Sequence, residues 1–90
     1  MEIIKKAQAG SFESSDILVL VEPLGDNLGR KIEIDSTVMK EYGDNIKTLI
    51  EKCLDSYQVK NIHLIAKDKG ALEPTILARV ETALKRASQQ

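Results

Sequence analysis

The sequence predicts an α+β fold: a four-stranded, mostly antiparallel sheet in the order β-β-β-α-β-α, with two helices packed on one face. Three observations predict it. Short runs in the first third alternate apolar and polar residues or are apolar throughout, as strands do. From Val38 to Tyr57 the apolar period lengthens to steps of three and four, which is helical. Strand character then returns over Val59–Lys67, and a second helical stripe follows it. Ninety residues make one domain, residues 1–90. A chain of that size hides about 60–70% of the surface its unfolded form exposes. That leaves one core and little room for a deep, walled catalytic pocket.

Each element has its own warrant. Residues 7–13 read as a short strand, whose Ala7, Ala9 and Gly10 let another backbone approach closely. Residues 16–22 are a strand apolar on both faces, with Ile17, Val19 and Val21 on one and Leu18 and Leu20 on the other. Such a strand is central or has a face covered by a partner. Pro23 to Gly29 is a loop, with Gly25 and Gly29 as hairpin glycines. Lys31–Asp35 alternates strictly and is expected to pair antiparallel with the strand before it. The first three strands then form a meander, with Ser14 and Ser15 in its first turn.

The first helix carries Val38, Tyr42, Ile46, Leu49, Ile50, Cys53, Leu54 and Tyr57 on one stripe, with Asp35, Ser36 or Thr37 as its amino cap. Gly43 inside it costs about 1 kcal/mol relative to Ala, and close packing is the one local reason for it. In the last strand Ile62, Leu64 and Ala66 face the core. Asp68-Lys69-Gly70-Ala71 is a turn in which Gly70 can take positive φ. Glu73-Pro74 opens the second helix, where proline is tolerated, and Ile76, Val80, Ala83, Leu84 and Ala87 form its stripe. The last few residues are expected to fray.

Composition narrows the function. Thirteen basic against 14 acidic residues give no strong positive field for nucleic acid. With no Trp and one Phe, there is no aromatic platform for stacking single-stranded bases. Cys53 is the single cysteine, so neither an internal disulfide nor a Cys-based metal site can be assembled. It falls on the first helix's stripe and reads as a packing thiol. The longest purely apolar run, Ile17–Val21, is far short of the ~20 residues that span a bilayer. No apolar stretch follows Lys5 and Lys6 to serve as a signal peptide, so a cytoplasmic protein is the default expectation. His63, the one imidazole, alternates with Ile62 and Leu64 onto the face away from the core, at the surface or in an interface. Charges on the helices, Arg79, Lys85 and Arg86 among them, read as solvated faces.

Chemistry is expected from Phe12-Glu13-Ser14-Ser15-Asp16. Two hydroxyls stand between two carboxylates just before a strand, which is turn composition, so the hydroxyls should be displayed. No His, Cys or Lys lies within four residues of either serine. A displayed, unactivated serine is a poor nucleophile and a reasonable attachment point. Glu13 and Asp16 either cap the turn or orient a modifying enzyme and its metal-bound nucleotide. On composition alone a plain polar turn is favoured, and Ser14 and Ser15 are chemically equivalent.

The segment Ala7-Gln8-Ala9-Gly10-Ser11-Phe12-Glu13-Ser14-Ser15-Asp16 closely resembles the amino-terminal segment of the citrate lyase acyl carrier (gamma chain) family. The resemblance continues through Ser36-Thr37-Val38-Met39-Lys40-Glu41-Tyr42-Gly43-Asp44, Asp68-Lys69-Gly70-Ala71-Leu72 and Ala78-Arg79-Val80-Glu81-Thr82-Ala83-Leu84, in the family's order. It implies a non-catalytic carrier subunit; no metal is expected, because no second ligand type clusters near His63 in the sequence. It also implies a 2'-(5''-phosphoribosyl)-3'-dephospho-CoA arm, joined by a phosphodiester to the serine of a Glu-Ser-x-Asp motif. That residue is Ser14. In the family a small residue, Gly or Ser, often follows, so the attachment is carried to Ser14 and not to Ser15. The implied partners are the alpha and beta subunits of citrate lyase and a prosthetic-group transferase. One subunit would exchange acetyl for citryl on the arm's thiol, releasing acetate, and the other would cleave the citryl thioester to oxaloacetate. A citramalate lyase carrier and an unmodified interaction module binding through its sheet are the alternatives, with a small enzyme using Ser14 ranked last. Conventional acyl carrier proteins are helix bundles whose modified serine follows an Asp and opens a helix. Here Asp16 follows the serines and a strand comes next, which implies a different fold.

Overall fold

A computed structural model describes residues 1–89. β1 (Ala7–Gly10), β2 (Ile17–Glu22), β3 (Arg30–Ser36), α1 (Met39–Ser56), β4 (Ile62–Asp68) and α2 (Glu73–Ser88) follow one another in the expected order. The α+β class, the four strands and the two helices are as the sequence predicts. Two of the three strand pairings are antiparallel, and the third is parallel.

The expected meander does not form. The sheet order is β1-β2-β4-β3. β4 inserts between β2 and β3, antiparallel to β2 with Val19 opposite Ala66 and parallel to β3 with Ile34 opposite Ala66. Gly25 and Gly29 therefore lie in a loop that steps over a strand, not in a hairpin. The composition of the strands explains the order. β3 exposes Lys31, Glu33 and Asp35 on its outer side, and charges suit an edge strand. β2 and β4 are the apolar strands, and the centre protects them. The step from β2 to β3 crosses two strand spacings, about 10 Å, which residues 23–29 span easily and a two-residue turn could not.

Distant bonds lock this crossover. The Arg30 Nε and Nη2 donate to the Val59 carbonyl at 3.0 and 2.7 Å, and Nη1 donates to Asp55 Oδ1 at 2.8 Å. The Gly29 N–H donates to Asn61 Oδ1 at 2.9 Å. The start of β3 is thereby pinned to the start of β4.

Both helices cover one face of the sheet. Ile17, Val19, Ile62, Leu64 and Ala66 from the strands meet Ile50, Leu54, Val80, Ala83 and Leu84 from the helices, all fully buried. Cys53 is buried among them, and that burial pushes its thiol pKa up. The stripe of α1 is narrower than expected, because Tyr42 lies exposed. Val38 precedes the helix as its N-cap with no side-chain cap. The Ser36 hydroxyl, an expected cap, accepts the Val38 N–H at 3.1 Å and donates to Asp68 Oδ2 at 2.7 Å. It ties β3 to β4 instead. The close neighbour of Gly43 is its own helix's Met39, whose Sδ would lie 2.6 Å from an added Cβ. Helix α2 runs to Ser88, and the fraying expected of the last residues falls partly on Gln90, outside the described residues. No described helix is long and apolar enough to cross a membrane.

β1 stops at Gly10, short of the expected residue 13, because the chain turns there. Gly10 has φ +94°, and a Cβ on it would sit 1.8 Å from the Ile17 carbonyl oxygen. Both the backbone conformation and the space demand glycine. Gly10→Ala is expected to lower stability by on the order of 2–3 kcal/mol or more, read as a drop in the urea midpoint at unchanged slope. A midpoint equal to that of the unsubstituted chain would show that the hairpin opens at no cost.

Candidate functional site

The loop between β1 and β2 holds the two serines. The Asp16 N–H donates to the Glu13 carbonyl at 3.1 Å, closing a four-residue turn around Ser14 and Ser15. Ser15 takes φ +65° and Ser14 does not take positive φ, which are the φ signs of a type II turn. Both residues are exposed. Below the apex the backbone is fastened. The Ser15 N–H donates to the Lys69 carbonyl at 2.8 Å, and the Lys69 N–H donates to the Asp16 carbonyl at 2.9 Å. These two bonds carry the β2–β4 ladder one step past the Ile17–Asp68 pair.

Asp16 anchors the root through its side chain. The Ser11 hydroxyl donates to Oδ2 at 2.7 Å and accepts the Glu13 N–H at 3.2 Å. The Ile17 N–H donates to Oδ1 at 2.7 Å. Arg79 on α2 completes the set with Nε to Oδ1 at 3.0 Å and Nη2 to Oδ2 at 3.2 Å, a bidentate pair. Arg79 foremost, then Ser11 and the Ile17 amide, hold the Asp16 carboxyl down at about 2. So Asp16 caps the turn, and its carboxylate is a very weak base. Glu13 is exposed and shapes the turn through its backbone.

Sequence reasoning missed Arg79 and Ser11 as parts of this site. Arg79 lies 63 residues from Asp16 and looked like one more solvated helix charge. Its neighbours share the fate: Lys85 pairs with Glu81 at 2.8 Å, and Arg86 donates to the Gln8 carbonyl at 2.8 Å. An arginine directly before the buried Val80, on a helix that must lie over β1 and β2, was the only available signal.

His63 lies on the outer face of the sheet, as alternation predicts, at the opposite end of β2 and β4 from the serines. Its Nδ1 is 2.7 Å from Glu22 Oε1 and its Nε2 is 2.6 Å from Glu33 Oε2. Two carboxylates on opposite ring nitrogens call for a donor at each, which is the cation. Glu33 first and Glu22 second accordingly raise the His63 pKa, and His63 in turn lowers both glutamates. Because the carboxylates sit on opposite edges of the ring, they do not converge on a common ion. Among the described residues no group of three or more His, Cys, Asp or Glu could hold a metal.

Comparison with known proteins agrees on a family. The family model described as the malonate decarboxylase delta subunit (MdcD) matches residues 4–87. A citrate lyase acyl carrier protein of Halothermothrix orenii is 46% identical over 99% of this chain and 93% of its own length. One from Treponema denticola is 44% identical over the whole of both chains. In a crystal structure of a Pseudomonas malonate decarboxylase hetero-tetramer in complex with malonate, one chain superposes with a TM-score of 0.78 at 21% identity, covering 96% of this chain and 87% of that one. That likeness establishes the fold. The chain belongs to the citrate lyase acyl carrier protein family.

The two charged clusters have opposite pH signatures. Asp16 titrates below its ordinary value in the folded chain, so its contribution to stability is complete above about pH 4 and fades as pH falls toward about 2. Asp16→Asn should lower stability at neutral pH and flatten the acid limb of urea midpoint against pH. An unchanged acid limb would mean that the pair with Arg79 contributes nothing. His63 titrates above 6.5, so its contribution is complete below that pH and is lost as pH rises through the raised value. His63→Gln should flatten the profile as pH rises above about 6.5, and a slope like that of the unsubstituted chain there would refute the bracketing by Glu22 and Glu33.

Proposed function

We propose, proceeding from that family membership, that the chain is the acyl carrier subunit of a citrate lyase. In this reading it is one carrier domain over residues 1–90. It bears 2'-(5''-phosphoribosyl)-3'-dephospho-CoA on Ser14 and works in the cytoplasm with the alpha and beta subunits after loading by a prosthetic-group transferase. The exposure of Ser14 at the apex of a turn whose root is fastened supports the assignment most directly. Such a serine suits a phosphodiester: the oxygen faces solvent, and the backbone beneath it is held. When bound, the arm supplies a terminal thiol that carries the acyl group as a thioester.

The chain's own residues contribute position. Ser15–Lys69, Lys69–Asp16 and Asp16–Arg79 bonds fix the pivot from which the arm swings. A fixed pivot turns each meeting with a partner's active site into an intramolecular event at an effective concentration of millimolar order. None of these residues activates the serine. With Asp16 held by Arg79, Ser11 and the Ile17 amide, the base that takes the Ser14 proton during loading has to come from the transferase. The same inertness fits a carrier better than a hydrolase working through Ser14. The names of the relatives favour citrate over citramalate.

Ser14 and Ser15 divide the labour. Ser15 occupies a positive-φ position that glycine fills without strain, so its side chain is dispensable, whereas Ser14 supplies the oxygen. Co-production with the transferase and intact-mass analysis test this directly. The unsubstituted chain should gain one adduct mapping to the peptide that contains Ser14. Ser14→Ala should gain none, and Ser15→Gly should load fully and be as stable as the unsubstituted chain or up to about 1 kcal/mol more so. An adduct on Ser15, or only the unmodified mass beside a demonstrably active transferase, would overturn the assignment.

A further inference from the structure

Beside the serine turn lies a surface pocket of about 300 Å³, lined by Phe12, Asp35, Ser36, Thr37, Lys67 and Lys69, with Asp68 at its floor. We propose that this pocket is a docking site for an adenine nucleotide diphosphate, and that it receives the nucleotide part of the arm between visits to partner subunits. The second half of the proposal rests on attachment at Ser14; the first does not.

Location comes first. Phe12 is two residues from Ser14, within about 7 Å along an extended chain. Lys69 is hydrogen-bonded through its carbonyl to the Ser15 N–H at 2.8 Å. The pocket thus begins where the arm would be attached, and its two nearest walls belong to the turn or touch it.

Chemical complementarity comes second. Phe12 is the one phenylalanine of the chain, and it is 60% exposed. The Lys67 ammonium stands 5.8 Å from the centre of its ring, within cation–π range. That contact holds the ring in place and leaves much of it uncovered for a flat base. Lys67 and Lys69 both line the pocket, two cationic side chains matched to the charge of a pyrophosphate. Asp68 is buried, and Ser36 Oγ, the Gly70 N–H and the Ala71 N–H all donate to its carboxylate, so it is engaged inside the fold and not presented to a ligand. Asp35, also in the lining, offers a carboxylate of the kind that accepts ribose hydroxyls.

A weak site is enough. At the millimolar effective concentration a short tether gives, a dissociation constant of about 1 mM keeps the nucleotide docked half of the time or more. The pantetheine end stays free to reach out. Tighter binding would slow delivery.

Amide and aromatic NMR of the full chain tests both halves. In the unmodified chain, titration with 3'-dephospho-CoA should move the signals of Phe12, Thr37, Lys67 and Lys69 with millimolar-range saturation. Phe12→Ala and Lys67→Glu should each weaken that binding at least five-fold while core signals stay unshifted, since both side chains are at the surface. Absence of these shifts overturns the pocket, and so does inorganic pyrophosphate acting as strongly as 3'-dephospho-CoA with no effect of Phe12→Ala. In the loaded chain, nuclear Overhauser contacts should join the Phe12 ring to the adenine H2 or H8 and vanish in Phe12→Ala at an undiminished adduct mass. An adenine that relaxes like a free nucleotide in fully loaded chain overturns the docking of the arm. Failure to load at Ser14 would refute the carrier assignment instead, and the titration would still decide the pocket.

Discussion

Asp16 accepts hydrogen bonds from three parts of the chain at once: the Ser11 hydroxyl before it, the Ile17 amide after it and the Arg79 guanidinium from α2. The last of these joins the loop to the helix layer. Besides it, the segment from Ser11 to Asp16 is tied to the rest of the chain through the Lys69 backbone and the Phe12–Lys67 contact. Gly10 makes the arrangement possible from the other side, since only a residue lacking Cβ lets β1 end against the Ile17 carbonyl. An exposed apex on an immobilised root follows from these two constraints together. In the carrier role proposed above, that combination matters more than any reactivity of the serine itself.

The insertion of β4 between β2 and β3 serves the same end. It brings Asp68 and Lys69 to the edge of the serine turn, where the Lys69 backbone clasps Ser15 and Asp16. It also brings Ser36, at the end of β3, within reach of the Asp68 carboxylate, so that one end of the sheet is braced across three strands. The Phe12–Lys67 contact sits at that braced end. At the opposite end His63 bridges Glu22 and Glu33 and ties β2 to β3 across β4. A meander would have placed β2 beside β3 and left Lys69 at an outer edge, with nothing to fasten the turn.

Much of this was legible in the residues. Alternation and the shift to a helical period located every element, because those patterns report which side of an element meets the core. Turn composition put Ser14 and Ser15 on the surface, and alternation put His63 on the outer face. Strand order was not legible, since period two tells which face a residue occupies and is silent on which strand lies alongside. The charges of Lys31, Glu33 and Asp35 suit the edge place that β3 takes, but a half-buried strand inside a meander alternates in the same way, so they did not decide the order. Ser36 was misread as a helix cap because a hydroxyl before a helix has a local use, and here a long-range partner, Asp68, competes for it. The same holds for Arg30 and Arg79, whose acceptors lie 29 and 63 residues away and leave no trace in local pattern.

Composition could not separate two adjacent serines of equal chemistry, and the backbone gives them different conformations. The turn closes between the Glu13 carbonyl and the Asp16 amide, so its two central residues carry different constraints. The second must accept positive φ and must offer its N–H to Lys69. Neither requirement involves a side chain, which is why a residue as small as glycine meets both. The first does not take positive φ, and the bonds at the root of the turn run through Ser11, Ser15 and Asp16, while Ser14 itself lies exposed. The asymmetry within the motif comes from the turn itself, and it supports the attachment proposed at Ser14.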